Sequence, residues 1–293
     1  MSNSFGTSTL SKALRDKYRL NQIELALKNA LVAEAVCLVD NSDLNTISSP
    51  YLSAMTATVQ AKAGTYTTGD NLTTTDSTLT VSDEVIAVTH IYDFERVTSN
   101  FDLMFTAHQE MANKIAMAID KWVVNELVDN GTGAYTTPAG GFTTPSNVIT
   151  IISAIISKCA GYADAMNGLY VIVENTDLAG IIPAAASSGF NYADSVLNNG
   201  KVAQILGVDI YVVRSGTFVD ATTTSASGSK TWLGAGKRVG GVKKVATYAS
   251  PRGLHFEEKG VTQKTGMEVV GIGYIGFKQW VPTAGLTIVI TLA

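Results

Sequence analysis

The stretch from Val85 to Gly131 constrains the fold more than any other, because an alternating strand pattern there runs straight into a helical pattern longer than one globular core requires. In Val85-Ile86-Ala87-Val88-Thr89-His90-Ile91-Tyr92-Asp93-Phe94-Glu95-Arg96 the β-branched and aromatic residues favour an extended backbone, with Asp93 and Glu95 on one face and Tyr92 and Phe94 on the other. Ser99 or Asn100 can then cap a helix. From Phe101 onward Met104, His108, Met111, Ile115, Ile119, Trp122 and Glu126 recur at spacings of three and four, with Phe105, Ala112, Ala116 and Val123 beside them. Gly131 is a natural stop. About 30 residues rising ~1.5 Å each make a rod of about 45 Å, against the ~11 to 12 residues of an ordinary helix. Such a rod must be covered by something large.

The 293 residues suffice for one large domain or two ordinary ones, and 46% apolar residues supply a substantial core. Lys plus Arg total 21 against 25 Asp plus Glu, so a net charge of −4 excludes a globally basic nucleic-acid binder and any DNA contact must be local. Cys37 and Cys159 lie in apolar helical patterns without metal-site spacing and are expected to be buried free thiols of a reduced compartment. The polar start Met1-Ser2-Asn3-Ser4-Phe5-Gly6 lacks the apolar stretch of a secretory signal, and no run approaches membrane-spanning length. The chain is therefore expected to be soluble and cytosolic at synthesis, with no membrane partner.

Residues Leu10 to Cys37 place Leu14, Tyr18, Leu20, Ile23, Leu27, Leu31 and Ala35 at near-helical spacing, with Lys12, Arg15, Lys17, Arg19 and Lys28 on other positions. This reads as an amphipathic, net-basic N-terminal arm, its charged face either solvated or turned to a partner or polyanion. From Pro50 to Val88 threonine dominates, Gly64 and Gly69-Asp70 supply turns, and Thr56 to Ala63 with Leu79 to Val88 read as the two arms of a hairpin. Between Leu38 and Asp93 seven carboxylates face the lone Lys62, and few large apolar residues lie between Gly64 and Thr78. A section so acidic and so poor in core residues is expected to lie on another subunit.

Beyond the long helix, Ala134-Tyr135-Thr136-Thr137-Pro138 is echoed by Gly141-Phe142-Thr143-Thr144-Pro145, which predicts a hairpin or a paired loop. Ser146 is expected to cap a buried helix carrying Val148, Ile149, Ile151, Ile152, Ile155, Ile156 and Cys159 and ended by Gly161. Leu169 to Val173 reads as a core strand, Asn175-Thr176-Asp177 as the cap of a short helix that Pro183 helps to end, and Val208 to Val213 as a second strand. The Ala/Thr/Ser/Gly tract Asp220 to Thr231 reads as a mobile surface loop, and the remainder to Ala293 as strands separated by glycine turns. The whole predicts an α+β fold.

Motifs that carry chemistry are few. Gly271-Ile272-Gly273-Tyr274-Ile275-Gly276 matches the dinucleotide fingerprint, but that motif works only where a strand hands over to a helix whose amides hold pyrophosphate. Here Phe277 to Pro282 continues as strand, so the glycines are expected to relieve packing or bend it. The histidines form only the pairs His90/Asp93 and His255/Glu257, which is no metal set, and His108 falls on the apolar stripe. Ser227-Gly228-Ser229-Lys230 spells S-x-x-K inside a low-complexity tract. No catalytic, metal or cofactor site is expected, and the chain is not expected to be an enzyme. Lys237, Arg238, Lys243 and Lys244 flank Val239-Gly240-Gly241-Val242; they form either a solvated turn or an electrostatic partner for a neighbouring subunit's acidic section or for phosphate.

The order of these elements resembles the major capsid proteins of tailed bacteriophages, whose Hong Kong 97-like fold is shared by encapsulin shells. The resemblance rests on Ile91 to Glu95 leading through Asn100-Phe101-Asp102-Leu103 into a spine helix that closes over Ala116 to Gly133. It continues in Tyr170 to Glu174, Gly200 to Ile210, and the final stretches Gly276 to Pro282 and Ala284 to Ile290. It implies an α+β architecture with a long spine helix, an N-terminal arm at 1–50, an extended β-hairpin loop at 51–90, a peripheral domain at 91–167 and 250–293, and an axial domain at 168–249. In that family the extended loop lies across the adjacent subunit, which suits the acidic, coreless section.

The function so implied is self-assembly into pentamers and hexamers that form an icosahedral virion capsid around double-stranded DNA, assembled in the host cytoplasm. Portal protein, a separate scaffold and decoration proteins are the further partners that the resemblance implies. Candidate inter-subunit or DNA contacts are Lys12, Arg15, Lys17, Arg19, Lys62, Lys237, Arg238, Lys243 and Lys244. Some family members form a Lys to Asn cross-link; Lys62 is the lone lysine of the loop, and no carboxylate and asparagine partner is evident in the sequence. The alternatives are an encapsulin-like cellular shell and a nucleotide-binding enzyme built on Gly271 to Gly276.

Overall fold

The long helix spans Leu103–Asp129, 27 residues without a glycine or proline, and a computed structural model places it between two sheets. The structure describes residues 32–42, 46–52, 74–92, 103–159, 168–187, 201–225, 228–251, 254–260, 265–280 and 286–293. The expected stripe is the buried one: Met111, Ile115, Ile119 and Trp122 are all in the core. From Trp122 to Val128 the helix is buried on every side, Asn125 and Glu126 included. A helix with only one stripe covered sits on a surface, whereas this one ends inside the protein.

One sheet joins β1 (Leu38–Asp40), β12 (Ala246–Ala249), β14 (Gly266–Gln279) and β13 (Leu254–Gly260), with β4 (Asp83–Tyr92) also paired to β14. The long β14 makes this possible, because Gly276 to Gln279 pair with β12 while Met267 to Gly273 lie between β4 and β13. The other sheet has six strands in the order β5 (Gly133–Thr136), β15 (Thr287–Thr291), β11 (Lys237–Val242), β6 (Leu169–Glu174), β8 (Val208–Val213) and β7 (Lys201–Ile205). It draws β5 and β15 from outside the stretch 168–249. Helices Pro145–Cys159 and Leu178–Ser187 bury Ile151, Ile152, Ile155 and Ile181 against it. Every residue of β6 is buried, as its unbroken apolar run requires of a strand covered on both faces.

Several expectations are corrected. Of the predicted hairpin, Thr56 to Ala63 lies outside the described residues, and Leu79 to Val88 divides at Val81-Ser82 into two strands. β3 (Thr74–Thr80) pairs antiparallel with β2 (Thr46–Leu52), and β4 pairs with β14. The threonine-rich composition fits many strand partners equally, so pairing was set by burial of alternate β4 residues. The Ala134 and Gly141 echoes do not pair: β5 joins β15 in parallel, and Gly141–Thr143 is a 3-10 turn entered through Gly140 and Gly141 at positive φ. The helix expected from Ser146 starts at Pro145, whose missing N–H costs nothing in a first turn; Gly161 lies outside the described residues. Pro183 stands inside its helix and faces solvent, where the carbonyl it frees can be hydrated. The tract Asp220 to Thr231 is no loop: β9 (Asp220–Ser225) and β10 (Gly228–Leu233) form an antiparallel hairpin, as β-branched threonines favour once something holds them.

Candidate functional site

What holds that hairpin is Glu126, the one acidic residue in the apolar stripe of the long helix. Its carboxylate accepts from Trp232 Nε1 at 2.9 Å and pairs with Lys230 Nζ at 2.6 Å, both from β10. The preceding residue, Asn125, donates to the Thr217 carbonyl and accepts from the Val219 amide, pinning the approach to β9. The final residue of the S-x-x-K tetrad, Lys230, is thus taken up by an ion pair; Ser227 lies outside the described residues.

The basic cluster separates into two kinds of residue. Arg238 is buried: its Nε donates to Asp177 Oδ2 at 2.5 Å and its Nη2 to Glu174 Oε2 at 3.1 Å, while Glu174 Oε1 accepts the Gly216 amide at 2.9 Å. One guanidinium therefore ties the end of β6, the turn Asn175–Asp177 and the loop after β8. Lys243 pairs with Asp209 and donates to the Tyr211 hydroxyl at 2.8 Å. Burial lowers the Lys243 pKa, and its hydrogen bonds to Asp209 and Tyr211 together with their charges outweigh this and raise it. Lys237 is half-buried and Lys244 exposed, so these two keep an outward charge. Lys12, Arg15, Lys17, Arg19 and Lys62 lie outside the described residues.

Gly271 to Gly276 lie within β14, which runs on as strand to Gln279, so these glycines do not sit at a strand-to-helix turn as a nucleotide site requires. The glycines serve packing instead. A Cβ on Gly271 would stand 2.9 Å from Ile115 Cδ1 of the long helix, and one on Gly276 would stand 3.1 Å from the Thr80 carbonyl. His108 is buried, its ring 5.5 Å from that of Phe256. Cys37 and Cys159 are buried and outside any disulfide, and burial pushes their thiols up to about 12 and about 11. Among the described residues no group of His, Cys, Asp or Glu could hold a metal ion, and no helix is long and apolar enough to cross a membrane.

Sequence reasoning passed over Asp120, which sits where the arm meets the long helix. Its Oδ1 accepts the Ala33 amide at 3.1 Å, anchoring the short helix Val32–Val36. With Val32, Glu110, Lys114 and Arg214 it lines a pocket of about 550 Å³. Burial pushes its pKa up to about 7; the Ala33 and Val32 amides pull it down, and the charge of Glu34 adds to the rise. Because the folded value exceeds the ordinary one, the folded protein holds this proton more tightly. The resulting stability is full below pH ~4 and is lost as pH rises through about 7. Asp120→Asn is expected to keep the amide contact and remove that loss. Its thermal midpoint should match the parent near pH 4 and exceed it by several degrees near pH 8; equal midpoints at both pH values would refute the assignment.

No protein-family model matches the chain, and no curated protein does either. Solved structures do match along nearly its whole length. The capsid structure of the cyanophage P-SCSP1u aligns with a TM-score of 0.66 at 15% identity, over 91% of this chain and 89% of that one. The mature capsid of bacteriophage PhiM1 aligns at 0.62 and 12% identity, over 88% and 86%. A virus-like particle from Pyrococcus furiosus aligns at 0.59 and 8% identity, over 92% and 96%. The architecture, with a long helix between a β14-centred sheet and a six-stranded sheet, is the α+β Hong Kong 97-like capsid fold.

Proposed function

We propose that the chain is a major capsid protein: many copies assemble as pentamers and hexamers into the icosahedral head of a tailed phage around double-stranded DNA. The observation that carries this is the near-complete overlap in both directions with a phage capsid chain, 91% of this chain and 89% of the other. An enzyme built on the same frame would need a site of its own; the charged residues buried among those described instead tie strand to strand and helix to hairpin. On this reading 1–50 is the arm, 51–90 the extended loop, 91–167 with 250–293 the peripheral part and 168–249 the axial part, the last sharing its sheet with β5 and β15. Non-specific contact with DNA falls to local cations, Lys237 and Lys244 among them. Portal protein, a separate scaffold and decoration proteins are its further partners on this reading, with assembly in the host cytoplasm.

Negative-stain electron microscopy of the purified chain, with a nuclease-protection assay on particles from infected cells, tests the proposal. Closed angular shells with protected DNA are expected; a persistent small monomer under every condition would overturn it. The likeness to the Pyrococcus particle supports a second reading, a cellular compartment, which DNA-free, protein-filled particles would favour. Neutralising Lys12, Arg15, Lys17 and Arg19 together is expected to lower particle yield or genome content. Unchanged yield and content would remove the arm's cations from the mechanism.

A further inference from the structure

Charge is missing from one side of the molecule. Helices Pro145–Cys159 and Leu178–Ser187 cover one face of the six-stranded sheet, and they pack on each other and on the turn Gly141–Thr143. From Gly131 to Ser157 the chain holds no Asp, Glu, Lys or Arg, and none stands in Leu178–Ser187. At the chain's overall 16% of charged residues, these two stretches would carry about six. A helix that meets water ordinarily shows charged side chains on its outer face. Here that face shows Ile149 and Ile182, 37% and 46% exposed, among Pro145, Thr150, Ser153 and Pro183. Loss of charge together with exposed large apolar side chains marks a surface that is covered on association. Such a face has nothing with which to answer phosphates, so nucleic acid is not what covers it.

A second uncharged surface stands on the other side of the same sheet. From Ala221 to Ser229 the β9-β10 hairpin holds only alanine, threonine, serine and glycine. Its root is fixed: Glu126 holds Lys230 and Trp232, Asn125 holds the backbone at 217 and 219, and the Gly234 amide donates to the Val219 carbonyl. Among the described residues β9 and β10 pair only with each other, so two edges of backbone donors and acceptors stay open, without a charge or a proline to guard them. Phe218 and Trp232, at the root, cluster with Tyr170 and Ile172 of β6, whereas the two helices cluster with the alternate residues Val171 and Val173. Alternate residues of a strand point to opposite faces, so within one chain the hairpin and the helix layer are separated by the sheet.

We propose that the β9-β10 hairpin of one copy seats against the uncharged layer of helices Pro145–Cys159 and Leu178–Ser187 of the next copy. The two surfaces complement each other in what they lack, since a charge on either side would lose water on contact and find no partner. The hydroxyls of Thr150 and Ser153 can answer the open backbone groups of the hairpin edge, while Ile149 and Ile182 leave water. Surfaces on opposite sides of one sheet make a head-to-tail contact, which closes into a ring where the rotation between copies allows it. Pentamers and hexamers are such rings.

This inference rests on the shell reading, and the test separates the two. A photo-crosslinking amino acid replaces Ile182 in the full-length chain, and equal amounts of isotopically light and heavy protein are assembled together. Crosslinks from position 182 to peptides within residues 220–233 are expected, with half of them joining light to heavy chains. Crosslinks only within one isotope, crosslinks to other segments or to other proteins, or none at all, would each overturn the inference. Should the change at 182 block assembly, the same probe at the exposed Thr222 decides by the same criteria, with 145–159 and 178–187 as the expected targets. The parent chain, assembled alongside and counted by microscopy, shows whether the shell reading survives; no particles from it would overturn both. In parallel, Ile182→Glu, a change at a half-exposed position, is expected to lower particle yield about tenfold with an unchanged circular dichroism spectrum and thermal midpoint. Full yield from the folded variant would also overturn the inference.

Discussion

Replacing Arg238 by methionine is expected to cost about 3 to 5 kcal/mol of stability, read as a fall in the denaturant midpoint at constant slope. The size follows from what remains. Glu174 and Asp177 have side chains only 11% and 4% exposed, and both face the guanidinium. Without it, two neighbouring carboxylates stay in a dry site with no counter-charge, and one must take up a proton or the site must open. The loss is local in origin and wide in effect, because the same site holds the Gly216 amide and stacks Arg238 over Phe218 at 5.1 Å. Replacing all three charged residues by apolar ones of similar size should recover much of the loss, since no orphaned charge is left. A drop below about 1 kcal/mol for the single change would mean that water already reaches the site.

Gly180→Ala is the second large effect, and its sign is the opposite of what helix propensity gives. In an exposed helix the change would stabilise by about 1 kcal/mol. Gly180, however, lies in helix Leu178–Ser187 against the turn Gly141–Thr143, where a Cβ would stand 2.2 Å from the Phe142 carbonyl oxygen and 2.5 Å from the Thr143 carbonyl carbon. Both are backbone atoms and cannot rotate away as a side chain would. The helix must shift, and overpacking of this kind costs about 1 to 3 kcal/mol, sometimes more, so a net loss of about 2 kcal/mol is expected. Differential scanning calorimetry at one pH would measure it; a raised midpoint would show that the turn yields.

The resemblance of patterns led to the right fold although few residues are shared, and the reason lies in which elements carried it. The long helix was legible because a repeat of three and four over many turns has no competing explanation. The β6 and β8 strands were legible because continuous β-branched runs suit nothing else. Gly271 to Gly276 read correctly as strand, since the residues after it keep alternating. Weaker periodicity misled: Asp220 to Thr231 has the composition of a loop, and Glu126, far away in the chain, gives its Lys230 and the following Trp232 something to hold. The four cations at 237–244 form one cluster in sequence, yet a strand turns alternate residues to opposite faces, so Arg238 points into the protein while its neighbour Lys237 keeps an outward charge. Asp120 went unnoticed because nothing local marks a carboxylate that will cap a helix 87 residues earlier.

The sequence by itself determined the local elements: the extended run before residue 93, the helix that follows and the buried strands. Backbone preference and the period of apolar residues act over a few neighbours and need no partner. Only the tertiary structure decided which strand β14 would join on each side, which carboxylates would meet Arg238, and which face of β4 would be left open to water. Those outcomes depend on register, and a ladder shifted by one residue would exchange the buried and exposed faces of β4 without changing a single local preference.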